Sequence, residues 1–126
     1  MTSPTPYSRL VSEAKAQIRE TTPEEVLARR ARGESPVLVD VREDDEYRED
    51  HAAGALHLSR GILEREIGKA IPDAGTPVVV YCGSGSRSAL AADTLCRMGY
   101  TQVASLKGGI ARWRELGLPL ETGTKA

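Results

Sequence analysis

The chain has 126 residues, with 17 Lys plus Arg against 18 Asp plus Glu, and is 40% hydrophobic and 28% charged, the make-up of one compact domain around one core. A net charge of -1 excludes a constitutive nucleic-acid binder, which needs a basic excess to displace counterions from phosphate. With four Tyr, one Trp and no Phe, the core falls to aliphatic residues, which favours Val-rich parallel strands over an aromatic-rich β-sandwich.

In chain order, Met1 to Pro6 is a polar, Pro-rich start without the basic and apolar regions of a secretory leader. No apolar stretch reaches the roughly 18 residues of a membrane span. Leu10, Val11, Ala14 and Ile18 predict a helix over Ser8 to Gln17, followed by a short extended piece at Ile18. Thr22 as N-cap, Pro23 at the first helical position and Glu25 three residues after the cap predict a second helix with a capping box, stopped at Gly33. Val37 to Val41 is short, apolar and β-branched, the pattern of a buried strand, and a short helix is expected at Glu43 to Arg48. Leu56 to Leu58 reads as another strand, and Leu63, Ile67, Ala70 and Ile71 mark one face of a helix that ends before Pro72.

Val78-Val79-Val80-Tyr81 is the strongest strand, and its unbroken hydrophobicity predicts a central position covered on both faces. After the loop Cys82 to Arg87, Ala89, Ala92, Leu95 and Cys96 follow helical spacing to a stop at Gly99. Val103 to Leu106 is the last predicted strand, Gly108-Gly109 a turn, and Ile110, Trp113 and Leu116 the inward face of a final helix. The ends, Met1 to Pro6 and Thr122 to Ala126, are expected to fray. The domain plan is an N-terminal extension with a helix over residues 1–17, a main domain over 18–120 and a tail over 121–126. Strands alternating with helices imply an α/β fold with a mostly parallel sheet of about five strands, in which ligands sit beyond the carboxyl ends of the strands.

Cys82 occupies such a place. Gly83 and Gly85 let the loop curl and aim successive N–H groups at one point, the following helix adds its positive N-terminal end, and Arg87 adds a full charge. An ordinary thiol is only about 3% ionised at pH 7, so a thiol inside this ring is expected to be acidified. The bland alternative is a small buried residue closing a strand. A dinucleotide fingerprint fails for want of a third glycine at Ser88, and a phosphate P-loop lacks its Gly-Lys pair. Cys82 and Cys96 are too far apart for a metal knuckle, and His51 and His57 complete no ligand spacing, so no metal is expected. A cysteine-protease arrangement would need one of these histidines against the thiol; both are expected to be structural. Cys96, on the helix after the loop, is expected to be buried and inert. Two free thiols suit a reducing compartment, and the expected location is the cytoplasm.

Four patches together resemble the single-domain rhodanese-like sulfurtransferases: Leu38-Val39-Asp40-Val41-Arg42 with Glu46-Tyr47, His51-x-x-Gly54-Ala55, the loop Cys82 to Arg87 after its valine strand, and Leu106-x-Gly108-Gly109-Ile110-x-x-Trp113. The resemblance implies a rhodanese-like fold with helices on both faces of the sheet. It also implies a cycle in which Cys82 takes a sulfane sulfur from a donor such as thiosulfate as a persulfide and passes it to cyanide, a thiol or a protein. Gly83, Ser84, Gly85, Ser86, Arg87 and Ser88 would then form the anion-binding and persulfide-binding loop, with no metal, flavin or nucleotide. The implied partners are a small anionic sulfur donor and a thiol acceptor, with neither nucleic acid nor membrane.

Ala52-Ala53 and Asp50 depart from the family's usual residues around His51, away from the cysteine loop. Arg42 either helps hold an anionic donor or pairs with Glu46 or another local acid, and Asp40 is expected to organise the loop as an acceptor. Arg60 is a candidate second anion contact, and Trp113 is expected to pack. Two other readings remain open at this point: a persulfide-carrying module with little small-molecule turnover, and a phosphatase or arsenate reductase, whose loops hold one more residue between Cys and Arg.

Overall fold

Alternating Val-rich runs and helical periodicities resolve, in the computed structural model, into a parallel sheet flanked by helices; the structure describes residues 3–123. The elements are α1 (Pro6–Gln17), β1 (Arg19–Thr21), α2 (Pro23–Ala31), β2 (Val37–Asp40), α3 (Asp44–Glu49), β3 (His51–Ala52), β4 (Leu56–His57), α4 (Leu63–Ala70), β5 (Val78–Tyr81), α5 (Ser86–Arg97), β6 (Val103–Leu106), α6 (Gly109–Glu115) and β7 (Leu120–Glu121). Five strands form one sheet in the order β1-β6-β5-β2-β4, every neighbouring pair parallel. As its composition predicts, β5 lies at the centre, with Val78, Val79 and Val80 paired to β2 on one side and β6 on the other.

Strand periodicity divides the core. Val78 and Val80 join Val39, Leu63, Ile67, Ala92 and Leu95 on the face covered by α4 and α5. Val79 and Tyr81 join Leu38, Val26, Leu106, Ile110 and Trp113 on the face covered by α2 and α6. Each fully buried valine or leucine contributes about 1.5–3 kcal/mol relative to an exposed one. Trp113 is wholly buried, as expected of a packing residue, and its indole N–H donates to the Pro119 carbonyl at 2.9 Å.

Several local expectations change. The first helix starts at Pro6, two residues earlier than its apolar periodicity shows, because Thr5 and Ser8 build a reciprocal capping box. Its Val11 and Ala14 pack on Ala89 of α5, so the extension adds a layer to the core. Thr22 caps α2 by accepting from the Glu25 N–H, but the Glu25 carboxylate accepts from the Thr21 hydroxyl, leaving half of the expected box. The tail predicted from residue 121 is tied down in its described part: Glu121 belongs to β7, which pairs antiparallel with β3, and the Gly123 N–H donates to the Arg48 carbonyl. Of the ends expected to fray, Met1, Thr2 and Thr124 to Ala126 lie outside the described residues.

Cys96 is the clearest correction. It is exposed, because the inward phase of α5 runs through Ser88, Ala89, Ala92 and Leu95, and the next position turns out to the rim of a groove between α1 and α5.

The connections set where a ligand can enter. After β2 the chain continues through α3 to β4 on one side, whereas after β5 it continues through α5 to β6 on the other. The connections therefore diverge beyond the carboxyl ends of β2 and β5, the preferred ligand position in open parallel sheets. The loop that begins at Cys82 and the start of α3 follow these two strand ends.

Candidate active site

Cys82 follows β5 directly and is 1% exposed, with its sulfur at the focus of the loop. The Gly85 N–H donates to Sγ at 3.2 Å and the Ser88 N–H at 3.3 Å, with the Ser88 hydroxyl at 3.5 Å. The curl requires Gly85 in the left-handed region, at a φ of +119°, from which it caps α5. Burial pushes the Cys82 thiol up, but the Ser88 hydroxyl and the N–H groups of Ser88, Gly85 and Ser84 outweigh it, and the thiol lies below its ordinary pKa. Ser88 is itself oriented by Ser105 of β6, the two hydroxyls being 2.8 Å apart. With a thiolate present, Ser105 donates to Ser88 and Ser88 to sulfur.

The loop is also held from behind. The first N–H groups of α6 take its carbonyls: Ile110 donates to the Cys82 oxygen at 3.0 Å and Ala111 to the Gly83 oxygen at 3.2 Å. The approach is so close that a Cβ on Gly109 would stand 2.5 Å from the Cys82 oxygen. The turn read at Gly108-Gly109 is thus the seat of the cysteine loop.

The loop residues named from the sequence are brought together in two sets. Gly85, Ser88 and the Ser84 N–H face the sulfur, while the Ser84 side chain is exposed and Ser86 half-buried at the start of α5. Gly83 carries the Arg87 guanidinium, whose Nη2 lies 3.4 Å from the Cβ position of that glycine. The expected free charge of Arg87 is matched, because its two terminal nitrogens donate to the two carboxylate oxygens of Glu46 at 2.7 and 3.1 Å. Those hydrogen bonds hold the Glu46 carboxyl down to about 2 and raise Arg87 further.

Asp40 and Arg42 form a buried pair beside this site. Asp40 accepts from the Arg42 backbone N–H at 2.9 Å and from its guanidinium at 2.8 Å, and Arg42 also donates to the Asp50 carbonyl at 2.6 Å. Arg42 therefore pairs with Asp40 rather than with Glu46, the local-acid alternative among its two readings. Burial acts against the Arg42 charge, but the Asp40 hydrogen bonds prevail and raise its pKa. Asp40 does organise the loop after β2 as an acceptor. Arg60 stands apart: its N–H donates to the Val41 carbonyl and its side chain pairs with Glu64 at 3.3 Å.

Both histidines are structural, stacked on opposite sides of Tyr47 with ring centroids 3.7 Å (His51) and 4.4 Å (His57) away. Sequence reasoning missed Ser105 and the Glu46–Arg87 pair. A polar residue inside the apolar strand Val103-Ala104-Ser105-Leu106 was the available signal for the first; for the second there was none, since Glu46 is one acid in the run Glu43-Asp44-Asp45-Glu46.

Ser88→Ala tests the hydroxyl. Thiolate is the reactive form and exists above the thiol pKa, so removing a donor moves the rising limb of the alkylation rate against pH to higher pH. The same linkage sets stability: the stabilisation from ionised Cys82 is fully present above the unfolded thiol pKa and is lost as pH falls through the lower folded value. Alkylation of wild type and variant by iodoacetamide from pH 5 to 10 reads the shift, and superimposable profiles would refute the hydroxyl's role.

Comparison with known proteins places this geometry. The family model for the rhodanese-like domain matches residues 22–116. The thiosulfate sulfurtransferase GlpE of Coxiella burnetii is 44% identical over 78 residues, 62% of this chain and 71% of that protein. The thiosulfate sulfurtransferase GlpE of Pseudomonas entomophila is 38% identical over 99 residues, 79% of this chain and 87% of that protein. Among solved structures, the polysulfide-sulfur transferase homodimer of Wolinella succinogenes superposes with a TM-score of 0.78 at 31% identity, covering 94% of this chain and 88% of that one.

Proposed function

The chain belongs to the rhodanese-like domain family, and from that premise we propose that it is a sulfurtransferase carrying a sulfane sulfur as a persulfide on Cys82. The observation that carries this reading is the convergence of the Gly85 and Ser88 N–H groups and the Ser88 hydroxyl on one acidified sulfur.

In the first step the Cys82 thiolate attacks the outer sulfur of a donor such as thiosulfate. The new S–S bond forms as the old one breaks, and sulfite departs with the bonding pair. In the second step a nucleophile, cyanide or a thiolate, attacks the outer sulfur of the persulfide, and Cys82 leaves as thiolate. Both forms of the protein carry an anionic sulfur in the loop. Donors already aimed at that charge stabilise it without rearrangement, the physics of an oxyanion hole. The cycle calls on no metal or organic cofactor, and its partners are a small anionic donor and a small or protein thiol acceptor.

No described helix is long and apolar enough to cross a membrane. The thiolate cycle suits a reducing compartment, and the cytoplasm is the location proposed. The phosphatase reading finds no support at Arg87: it follows Cys82 after four residues, and its guanidinium is already held by a carboxylate.

Incubation with thiosulfate followed by intact mass measurement tests the loading step. The expected result is a gain of one sulfur, mapped to Cys82 and removed by cyanide. A mass that does not change, or a gain that maps to the exposed Cys96, would overturn the assignment.

A further inference from the structure

Beyond the carboxyl ends of β2 and β5 a guanidinium from the β5 side and a carboxylate from the β2 side are joined. Glu46 of α3 takes both terminal nitrogens of Arg87, with each side chain about one-third exposed at 35% and 34%, so the pair stands at the surface rather than in the core. Arg87 in turn lies against Gly83, one residue from the sulfur. The nearby Arg42 is matched in the same way, by the buried carboxylate of Asp40. The partly exposed Arg87 and the buried Arg42 are thus each neutralised by a carboxylate.

For a transfer that begins with a thiolate meeting an anion, this cancellation is consequential. A free guanidinium beside Gly83 would attract a doubly charged donor about twice as strongly as a singly charged one, since the interaction scales with the product of charges. A neutralised Arg87 leaves the backbone N–H groups to receive the donor. From this we infer that Glu46 is a charge-selecting residue: by holding Arg87 it tunes the site toward singly charged sulfane donors, such as organic persulfides and thiosulfonates, at the expense of the thiosulfate dianion. This rests on the sulfurtransfer reading and deepens it by assigning the donor class. The transfer balances for either donor. With methanethiosulfonate the Cys82 thiolate takes the outer sulfur, the S–S bond breaks and methanesulfinate leaves with the pair; with thiosulfate, sulfite leaves.

Glu46→Gln keeps a side-chain oxygen for the Glu43 N–H that Glu46 now accepts, preserving the start of α3 while removing the charge. Steady-state kinetics with cyanide as acceptor, comparing thiosulfate with methanethiosulfonate, give the readout. The substitution is expected to raise kcat/KM for thiosulfate about tenfold, mainly through KM, and that for methanethiosulfonate about threefold, the square root expected of half the charge. The ratio of the two donors therefore rises about threefold, and the rise shrinks with added salt. Any change in the Cys82 thiol acts on both donors alike and leaves the ratio untouched.

Arg87→Gln, which leaves Glu46 unmatched, is expected to move the ratio in the opposite direction, so the inference does not depend on one variant folding. Equal changes with both donors, or a ratio that moves the same way in both variants, would assign Glu46 a positioning role and overturn the inference while leaving sulfurtransfer intact. A wild-type protein that turns over neither donor would remove the sulfurtransfer reading and the inference with it.

Discussion

Cys82→Ser is expected to lower thiosulfate-to-cyanide turnover by at least about a thousand-fold, the scale on which loss of an activated nucleophile acts. Serine fits the space, and its oxygen meets the same Gly85 and Ser88 N–H groups, so the loop keeps its shape. What disappears is the anion. The loop lowers a thiol pKa that is ordinarily about 8.5, within reach of neutrality, whereas a serine hydroxyl stays protonated at about pH 7 whatever the loop supplies, and an alcohol oxygen is a poor nucleophile toward divalent sulfur. Thiocyanate release measures the loss, and an unchanged thermal midpoint shows that the fold survives it. Turnover of the serine variant at a tenth of the wild-type rate would place the chemistry elsewhere. Cys96→Ser supplies the contrast, since an exposed thiol held above its ordinary pKa by burial and by Asp93 is expected to be dispensable for turnover.

Gly109→Ala is expected to cost about 2–5 kcal/mol of stability, the sum of left-handed strain and a steric collision with backbone. The residue sits at a φ of +54°, and an added Cβ would stand 2.5 and 2.6 Å from the Cys82 and Gly83 oxygens and 2.7 Å from the Gly83 carbonyl carbon. None of these atoms belongs to a flexible side chain that can swing away. Either the loop lifts off α6 or α6 retreats from the loop. Gly33→Ala is the matched control: its φ of +87° carries the same kind of strain, but nothing stands within 4 Å of the added carbon, so about 1–2 kcal/mol is expected. Urea unfolding of both variants isolates the collision as the difference, and equal losses would refute it. A surviving Gly109→Ala protein is also expected to show a raised Cys82 pKa, because the loop it holds can no longer rest on its seat.

The parts that could be read from the sequence were those whose signal is local. Val78 to Tyr81 announces a central strand in four consecutive residues, and Cys82 to Ser88 announces an anion loop through glycines and a following helix within one short segment. The residues that complete the site come from elsewhere in the chain. Glu46 lies 41 residues before Arg87, and Ser105 lies 17 after Ser88, so both contacts depend on which strands become neighbours, a property of sheet order rather than of any window. Arg42 shows the same limit at short range: its partner is two residues away, but only burial of the β2 end makes Asp40 a better partner than Glu46. The β3–β7 pair escaped because two-residue strands have too little length for alternation to appear. Cys96 was misplaced because helical spacing identifies a face without saying how wide the covered stripe is, and the stripe on α5 stops at Leu95.

The two N–H groups that α6 donates into the cysteine loop also decide which way the field at the sulfur points. In a trans peptide unit the C=O and N–H bonds are directed oppositely across a rigid plane. Anchoring the Gly83 oxygen to Ala111 therefore turns the other end of that unit, the Ser84 N–H, toward the sulfur side of the loop. The orientation of the dipole is inherited from a helix whose hydrogen bonds go to the loop carbonyls. Buried Trp113 and its bond to Pro119 hold that helix in place, so residues far along the chain help to fix the peptide plane that faces the sulfur.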